Sequence, residues 1–268
     1  MERASRGLLQ VRRTNVSYGP VRDQLPFEGL LVRPTLAVGA ALVLLSALAW
    51  LQLATDMIHP APRAWQVADV GTALVMWLIM AVAMMLPTAA PAILSFAGIV
   101  SGAGRTGAAG GRLGTFVGGY LSVWWAFGFV AATAQWALAA AARALPGLRT
   151  GGALLTGALL LMAGLYQFSA LKDRCLRHCR SPLAFFLAHW RGGTRGAFYL
   201  GLRHGAHCLG CCWALMALML CVGAMNIGWT AALTAVMLAE KVVPGGPLTG
   251  RVVGAALIAW GGTLLLAA

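Results

Sequence analysis

The sequence predicts an all-α protein, a polytopic integral membrane bundle of about seven transmembrane helices. Three observations predict it. Charged residues make up 10% of the 268 residues and hydrophobic ones 60%, whereas a soluble domain carries about 25% charged residues. Long runs hold no Asp, Glu, Lys or Arg: 34–55, 70–104, 113–142, 150–171, 204–239 and 252–268. One span needs about 20 apolar residues. The basic residues are also unevenly placed. With the N-terminus cytoplasmic, 17 of the 20 Lys and Arg fall on inner segments, and Arg63, Arg143 and Arg149 are left outside. That is the positive-inside pattern. It accounts for the net charge of +13 as topology and argues against a nucleic-acid role. The excess of Arg over Lys, with abundant Ala and Gly, suggests a high-GC bacterium and hence its inner membrane.

The elements follow in order. Residues 1–33 carry six Arg with Pro20 and Pro26 and read as a basic cytoplasmic tail; residues 34–268 form the membrane domain. The first span, roughly 35–54, is longer than a signal-peptide core and lacks a small-residue cleavage site, so it is an uncleaved anchor. The second, roughly 71–98, carries Met76, Met80, Met84 and Met85, then Pro87 and Pro91. Those prolines remove backbone donors and kink the helix. A Gly-rich, flexible loop follows, over 99–112. The third span, roughly 114–141, is aromatic, and Tyr120, Trp124, Trp125 and Phe127 read as bilayer packing and interface anchors. The fourth covers roughly 152–171. The uncharged run 204–239 is too long for one span, and Gly223, Asn226 and Gly228 mark a turn within it. This gives spans near 197–222 and 227–242, and the last lies near 251–268. Gly196, Gly201 and Gly205 invite close helix approach, while Gln135, Gln167 and Asn226 read as interhelical hydrogen-bonding groups.

The chemistry concentrates between His204 and Cys212, which read H-G-A-H-C-L-G-C-C. On a helix, His204, His207, Cys208 and Cys211 fall within about a 100° arc, with Cys212 on its flank and Trp213 opposite. Polar ligands inside a bilayer cost insertion free energy, which favours a site over filler. Thiolates and thioethers suit Cu(I); zinc is the second choice for a Cys and His set. A second group, Cys175, His178 and Cys179, shares one face if its segment is helical. Ser181-Pro182 would close that helix, and Lys172, Arg174, Arg177 and Arg180 surround its thiols with positive charge. None of the six cysteines precedes Cys175. Cys175 and Cys179 face a reducing compartment, so metal or redox chemistry is preferred to a disulfide framework. Cys208 lies about 16 Å into its helix, a depth Met84 and Met85 share. Two thiolates on a monovalent ion leave one uncompensated negative charge, which Arg203 or Lys241 would balance. The adjacent Glu240 and Lys241 would pair with other charges.

Several of these residues form a recognisable set. Met84-Met85-x-Pro87, Leu171-Lys172, Cys175-x3-Cys179-Arg180-x-Pro182 and Gly205-x2-Cys208-x-Gly210-Cys211-Cys212-Trp213 with Leu215-Met216 are followed by Gly223-x-Met225-Asn226 and Glu240-Lys241. Together they resemble the DUF2182 family over roughly residues 70–245. The resemblance implies a polytopic membrane protein with a cysteine-based metal site, and some relatives bear a copper-chaperone label. His178 and His207 stand outside that pattern.

The reading favoured is a non-enzymatic membrane protein that binds a soft metal, Cu(I) first, for delivery, sequestration or passage. Cys208, Cys211 and Cys212 are primary ligands, and His204 or His207 completes the set. Cys175 and Cys179 form an inner docking pair, and Met84 and Met85 are weak auxiliary ligands. The lipid bilayer and a metal-donor or metal-acceptor protein are the partners. The alternative is a membrane thiol-disulfide oxidoreductase using Cys208, Cys211 and Cys212, although these lie inside the bilayer and no second pair sits in an oxidising loop. Haem ligation calls for histidines on two membrane helices, and only the fifth span carries them. No Walker loop, Ser-x-x-Lys or His-Glu-x-x-His occurs.

Overall fold

Residues 27–58, 70–102, 106–144, 152–222 and 226–267 are described by a computed structural model. Residues 1–26 of the expected tail lie outside this set. Every element among the described residues is helical: α1 Phe27–Ile58, α2 Val70–Gly102, α3 Thr106–Ala144, α4 Gly152–Tyr166, α5 Ala170–Arg180, α6 Pro182–His189, α7 Gly193–Ala217, α8 Met219–Val222, α9 Ile227–Val242 and α10 Gly246–Leu266. The chain is an all-helical membrane protein. Among the described residues, four segments are long and apolar enough to cross a bilayer: Thr35–Thr55, Val70–Gly102, Ala109–Ala141 and Gly246–Leu266. A fifth appears if α4 and α5, bent by 63° at their junction, count as one broken span. The expected count of seven is therefore not reached by length and apolarity. The fifth and sixth expected spans do form as helices, α7 and α9, but α9 has only 16 residues. In α7, polar and thiol side chains take positions that a lipid-facing helix would fill with Leu or Val.

The arrangement follows from which helices bury a face. Over Thr35–Thr55, α1 carries no charged residue and is largely uncovered, with Leu36, Val43, Leu44, Leu48 and Leu51 exposed. A helix of that kind is soluble in lipid rather than water. α2 is the central element. Its buried residues run from Met76 to Val100, because it packs against α1, α3, α6 and α9. Pro87 lacks the N–H that would bond the Ala83 carbonyl four residues back. Ser46 Oγ (3.2 Å) and Trp50 Nε1 (3.0 Å) on α1 donate to that freed oxygen instead. This repair keeps α2 helical through Pro87 and Pro91 and pins α1 beside it. An apolar cavity of about 500 Å³ adjoins the junction, lined by α1 and α2 residues and Leu238.

Two further interfaces depend on missing side chains. α3 and α7 meet backbone to backbone. A Cβ on Gly201 would collide with the Phe116 carbonyl oxygen, and one on Gly205 would lie 3.0 Å from the Tyr120 carbonyl oxygen. α4 and α10 meet through Gly164 and Gly254, each against the other's carbonyl oxygen at 2.8 and 3.1 Å from an added Cβ. Close approach of this kind is how membrane helices gain packing energy without a hydrophobic driving force. Gly196 plays no such part, since its neighbour is Arg191 of the preceding turn.

Several expectations are corrected. The Gly-rich stretch 99–112 is mostly helix rather than flexible loop, because α2 runs to Gly102 and α3 begins at Thr106. Glycine is tolerated in helices that neighbours support. The fourth expected span breaks at Gln167–Ser169, where Ser169 caps α5 by accepting from Lys172 N. Ser181 ends α5, and Pro182 opens α6 at a first-turn position. Gln135 does link helices, accepting from Trp77 Nε1 at 3.0 Å. Asn226 does not: its side chain caps α9 by accepting from Trp229 N at 3.0 Å.

Candidate metal centre

Cys208, Cys211 and Cys212 are at i, i+3 and i+4 on α7, so one side of that helix carries all three. The glycine contacts with α3 press this side against Tyr120. All three thiols are 1% exposed. Cys211 Sγ and Cys212 Sγ both donate to the Cys208 carbonyl, at 3.1 and 2.8 Å.

Cys208 Sγ sits in a closed ring of polar groups. Lys241 Nζ donates to it at 3.1 Å, and Tyr120 Oη lies 3.2 Å away. Tyr120 Oη also donates to the Met85 carbonyl at 3.0 Å. Thr88 Oγ1 donates to the same carbonyl at 3.0 Å, and Lys241 Nζ donates to Thr88 at 2.9 Å. A phenol has one proton for two acceptors here. When Cys208 is a thiol it can donate to Tyr120, whose own proton goes to Met85. When Cys208 is ionised, the phenol proton and the ammonium both face the sulfur. The ring therefore serves either state without leaving a buried group unpaired.

Cys179 on α5, buried like the α7 thiols, completes the cluster and interacts with both Cys208 and Cys211. Cys175 packs on Gly210, where an added Cβ would sit 2.6 Å from its sulfur. Cys175, Cys179, Cys208, Cys211 and Cys212 are free thiols. The sequence separates Cys175 and Cys179 from the α7 thiols by depth. The structure unites them, because the bend between α4 and α5 folds α5 back against α7. The expected positive field around Cys175 and Cys179 is absent for the same reason. Lys172 is 2% exposed and pairs with Glu240 at 2.7 Å, with Gln167 accepting a further hydrogen bond. Arg180 donates to the carbonyls of Glu240 (2.5 Å), Val243 (2.9 Å) and Pro244 (3.2 Å), closing the end of α9. Arg174 and Arg177 are exposed. Glu240 and Lys241 thus split: neighbours on a helix point about 100° apart, so one meets Lys172 and the other Cys208.

The remaining expected ligands are distributed differently. His204 is 2% exposed and its Nδ1 has no hydrogen-bond partner among the described residues. Its ring lies among Phe116, Tyr120 and Phe185, at 6.2, 5.8 and 5.5 Å between centroids. His207 turns away from the thiols and stacks on His178 of α5, with centroids 4.2 Å apart and planes 3° off parallel. Met84 and Met85 are fully buried; what α2 presents to Cys208's ring is the Met85 carbonyl and Thr88. Among the described residues, no group of three or more His, Cys, Asp or Glu is arranged to hold a metal ion. The thiols are close to one another without converging on a common point. As a donor set they nevertheless match a soft monovalent cation, which thiolates bind preferentially.

Tyr120, Thr88 and Gln167 are the residues that sequence reasoning did not place at this centre. Tyr120 carried a readable signal. Phe116, Tyr120 and Trp124 recur every four residues and are all fully buried, whereas Trp125, off that stripe, is 45% exposed. Gln167 was legible only as a hydrogen-bonding group within the membrane, and Thr88 carried no signal.

No curated protein and no solved structure matches the chain. Residues 74–264 match a family described as PpoB2, copper chaperone. That description differs in name from the DUF2182 resemblance, but it carries the same copper association across the same helices. The match takes in most of the chain and every thiol of the cluster, so the protein belongs to the PpoB2 copper-chaperone family.

Proposed function

We propose that the protein binds Cu(I) as cargo in the buried thiol cluster and delivers it to an acceptor protein. The observation that carries this reading is Cys208, a sulfur faced by an ammonium and a phenol with three other thiols around it. Cys208 is the first ligand. Cys179, Cys211 and Cys212 supply the second and exchange with one another as the ion moves, and His204 offers the unpartnered Nδ1 beside them. Met84 and Met85 act as auxiliary thioethers, and Cys175 lies at the edge of the cluster against Gly210.

Charge decides the metal. Two thiolates, the Lys241 ammonium and one Cu(I) sum to zero, whereas a divalent ion such as zinc leaves an excess positive charge unless a third thiolate ionises. Uncompensated charge in a low-dielectric interior costs several kcal/mol. The Lys172–Glu240 pair is already neutral and leaves Lys241 to the sulfur. The positive-inside pattern puts the N-terminus in the cytoplasm and the thiol-bearing end of α5 near the inner face. The cargo then comes from the cytoplasmic side.

The test is an anaerobic Cu(I) titration of the detergent-purified full chain against a chromophoric chelator, with the metal's ligands read by X-ray absorption. The expected result is sulfur-ligated copper at one ion per chain, lost in Cys208→Ser. Absence of bound copper, or equal binding in Cys208→Ser, would refute the proposal.

A further inference from the structure

Four histidine rings surround one phenylalanine. Phe185 on α6 is 2% exposed. Its centroid lies 5.0 Å from His189, 5.5 Å from His204, 5.9 Å from His207 and 6.3 Å from His178. These rings come from α5, α6 and α7, so tertiary packing alone brings them together. Three of them, His178, His189 and His207, are partly open to the surface, and His204 is buried. Electrostatic reach links them in sequence. His207 is within range of His178 and His189, and His204 is within range of His207, His178 and Cys208.

The donor atoms face a useful way. His178 Nδ1 engages the Arg174 carbonyl and His189 Nδ1 the Phe185 carbonyl, each at 2.9 Å. A backbone carbonyl can only accept, so Nδ1 carries the proton and Nε2 keeps its lone pair. That is the tautomer in which a histidine ligates through Nε2 while its other nitrogen is held by a carbonyl. At the inner end of the series, His204 Nδ1 is buried with no hydrogen-bond partner among the described residues. Parallel stacking of His178 on His207 keeps their lone pairs from converging, so the trio cannot close around an ion. A set of one- or two-point donors holds metal weakly and lets it go.

We propose that His178, His189 and His207 form a staging site that receives Cu(I) at the surface and passes it by way of His204 to Cys208. Phe185 separates the open imidazoles from the buried one. No electron changes hands: nitrogen–copper bonds are exchanged for sulfur–copper bonds, and the proton each thiol gives up as its sulfur binds is taken by an imidazole nitrogen that the copper has left and passed on to water at the surface. This inference rests on the thiol reading above, and the two fail in different ways.

The experiment presents the full-length protein with a Cu(I)–chelator complex under anaerobic conditions, following transfer by absorbance and ligands by X-ray absorption. In His178→Ala/His207→Ala, loading slows about tenfold, in line with the loss of a histidine that handles metal, while the final copper content and affinity match wild type. An unchanged rate overturns the staging site. A parallel loss of affinity overturns it too, because the histidines would then belong to the thiol centre. A second variant replaces Cys179, Cys208, Cys211 and Cys212 with Ser. It retains weakly held copper with nitrogen ligands only, and finding none there overturns the proposal. Failure of the wild type to bind copper through sulfur sinks the thiol reading instead, and nitrogen-bound copper in both proteins would leave the histidine site standing.

Discussion

At the scale of single residues, Lys241 has the largest consequence for its size. It is 7% exposed and bonds Thr88 and Cys208. Lys241→Met keeps most of the volume and removes the charge. Breaking one partner out of a buried charged pair costs about 3–5 kcal/mol. The expected result is a loss of Cu(I) affinity of about a hundredfold or more by that arithmetic, with Lys241→Arg restoring part of it. Chelator competition measures both, and an unaltered affinity in Lys241→Met would remove Lys241 from the centre. Glu240, one residue earlier, behaves differently. Glu240→Gln leaves Lys172 buried and unpaired, so it lowers the detergent melting temperature, and the double change Lys172→Met/Glu240→Leu restores much of the loss.

At the scale of elements, two helices depend on repairs made by neighbours. Ala83 on α2 loses its intrahelical donor to Pro87 and regains two from α1. Ser46→Ala should destabilise the protein by about 1 kcal/mol. In a Pro87→Ala background the same change should cost less, because residue 87 then donates to Ala83 itself. Thermal unfolding of the four proteins gives the coupling, and strict additivity would disprove the repair. The α3–α7 interface offers a second contrast. Gly201→Leu and Gly157→Leu both overpack a helix contact, at about 1–3 kcal/mol each. Gly201 holds Tyr120 against Cys208, whereas Gly157 lies between α4 and α10. Copper affinity should fall in the first and persist in the second at matched loss of melting temperature. Equal effects on affinity would mean that the α3–α7 contact is not what positions the site.

At the scale of the whole molecule, charge distribution and span count bear on orientation together. The basic residues favour an inner N-terminus, and if α4 and α5 cross as one broken span, the resulting five crossings carry the C-terminus to the opposite side. Alkaline phosphatase fused after residue 268 should then be active, while the same fusion at residue 104 stays inactive. The reversed pattern would invert the proposed direction of copper entry.

Composition and periodicity alone determined that the chain is helical, that it belongs in a membrane and which thiols share one side of a helix. Uncharged runs admit few other structures where backbone groups lack water, and i, i+3, i+4 spacing places Cys208, Cys211 and Cys212 on one side whatever the helix packs against. Neighbour relations were beyond its reach. That Cys179 joins those thiols depends on a 63° bend, and that His207 leaves them for His178 depends on where α5 lands. Tyr120 and Thr88 became part of the centre because glycines let α3 close on α7 and because Lys241 reaches across to α2. A local repeat fixes which way a side chain leaves its own helix, but what it meets there is decided by the summed packing of all the others.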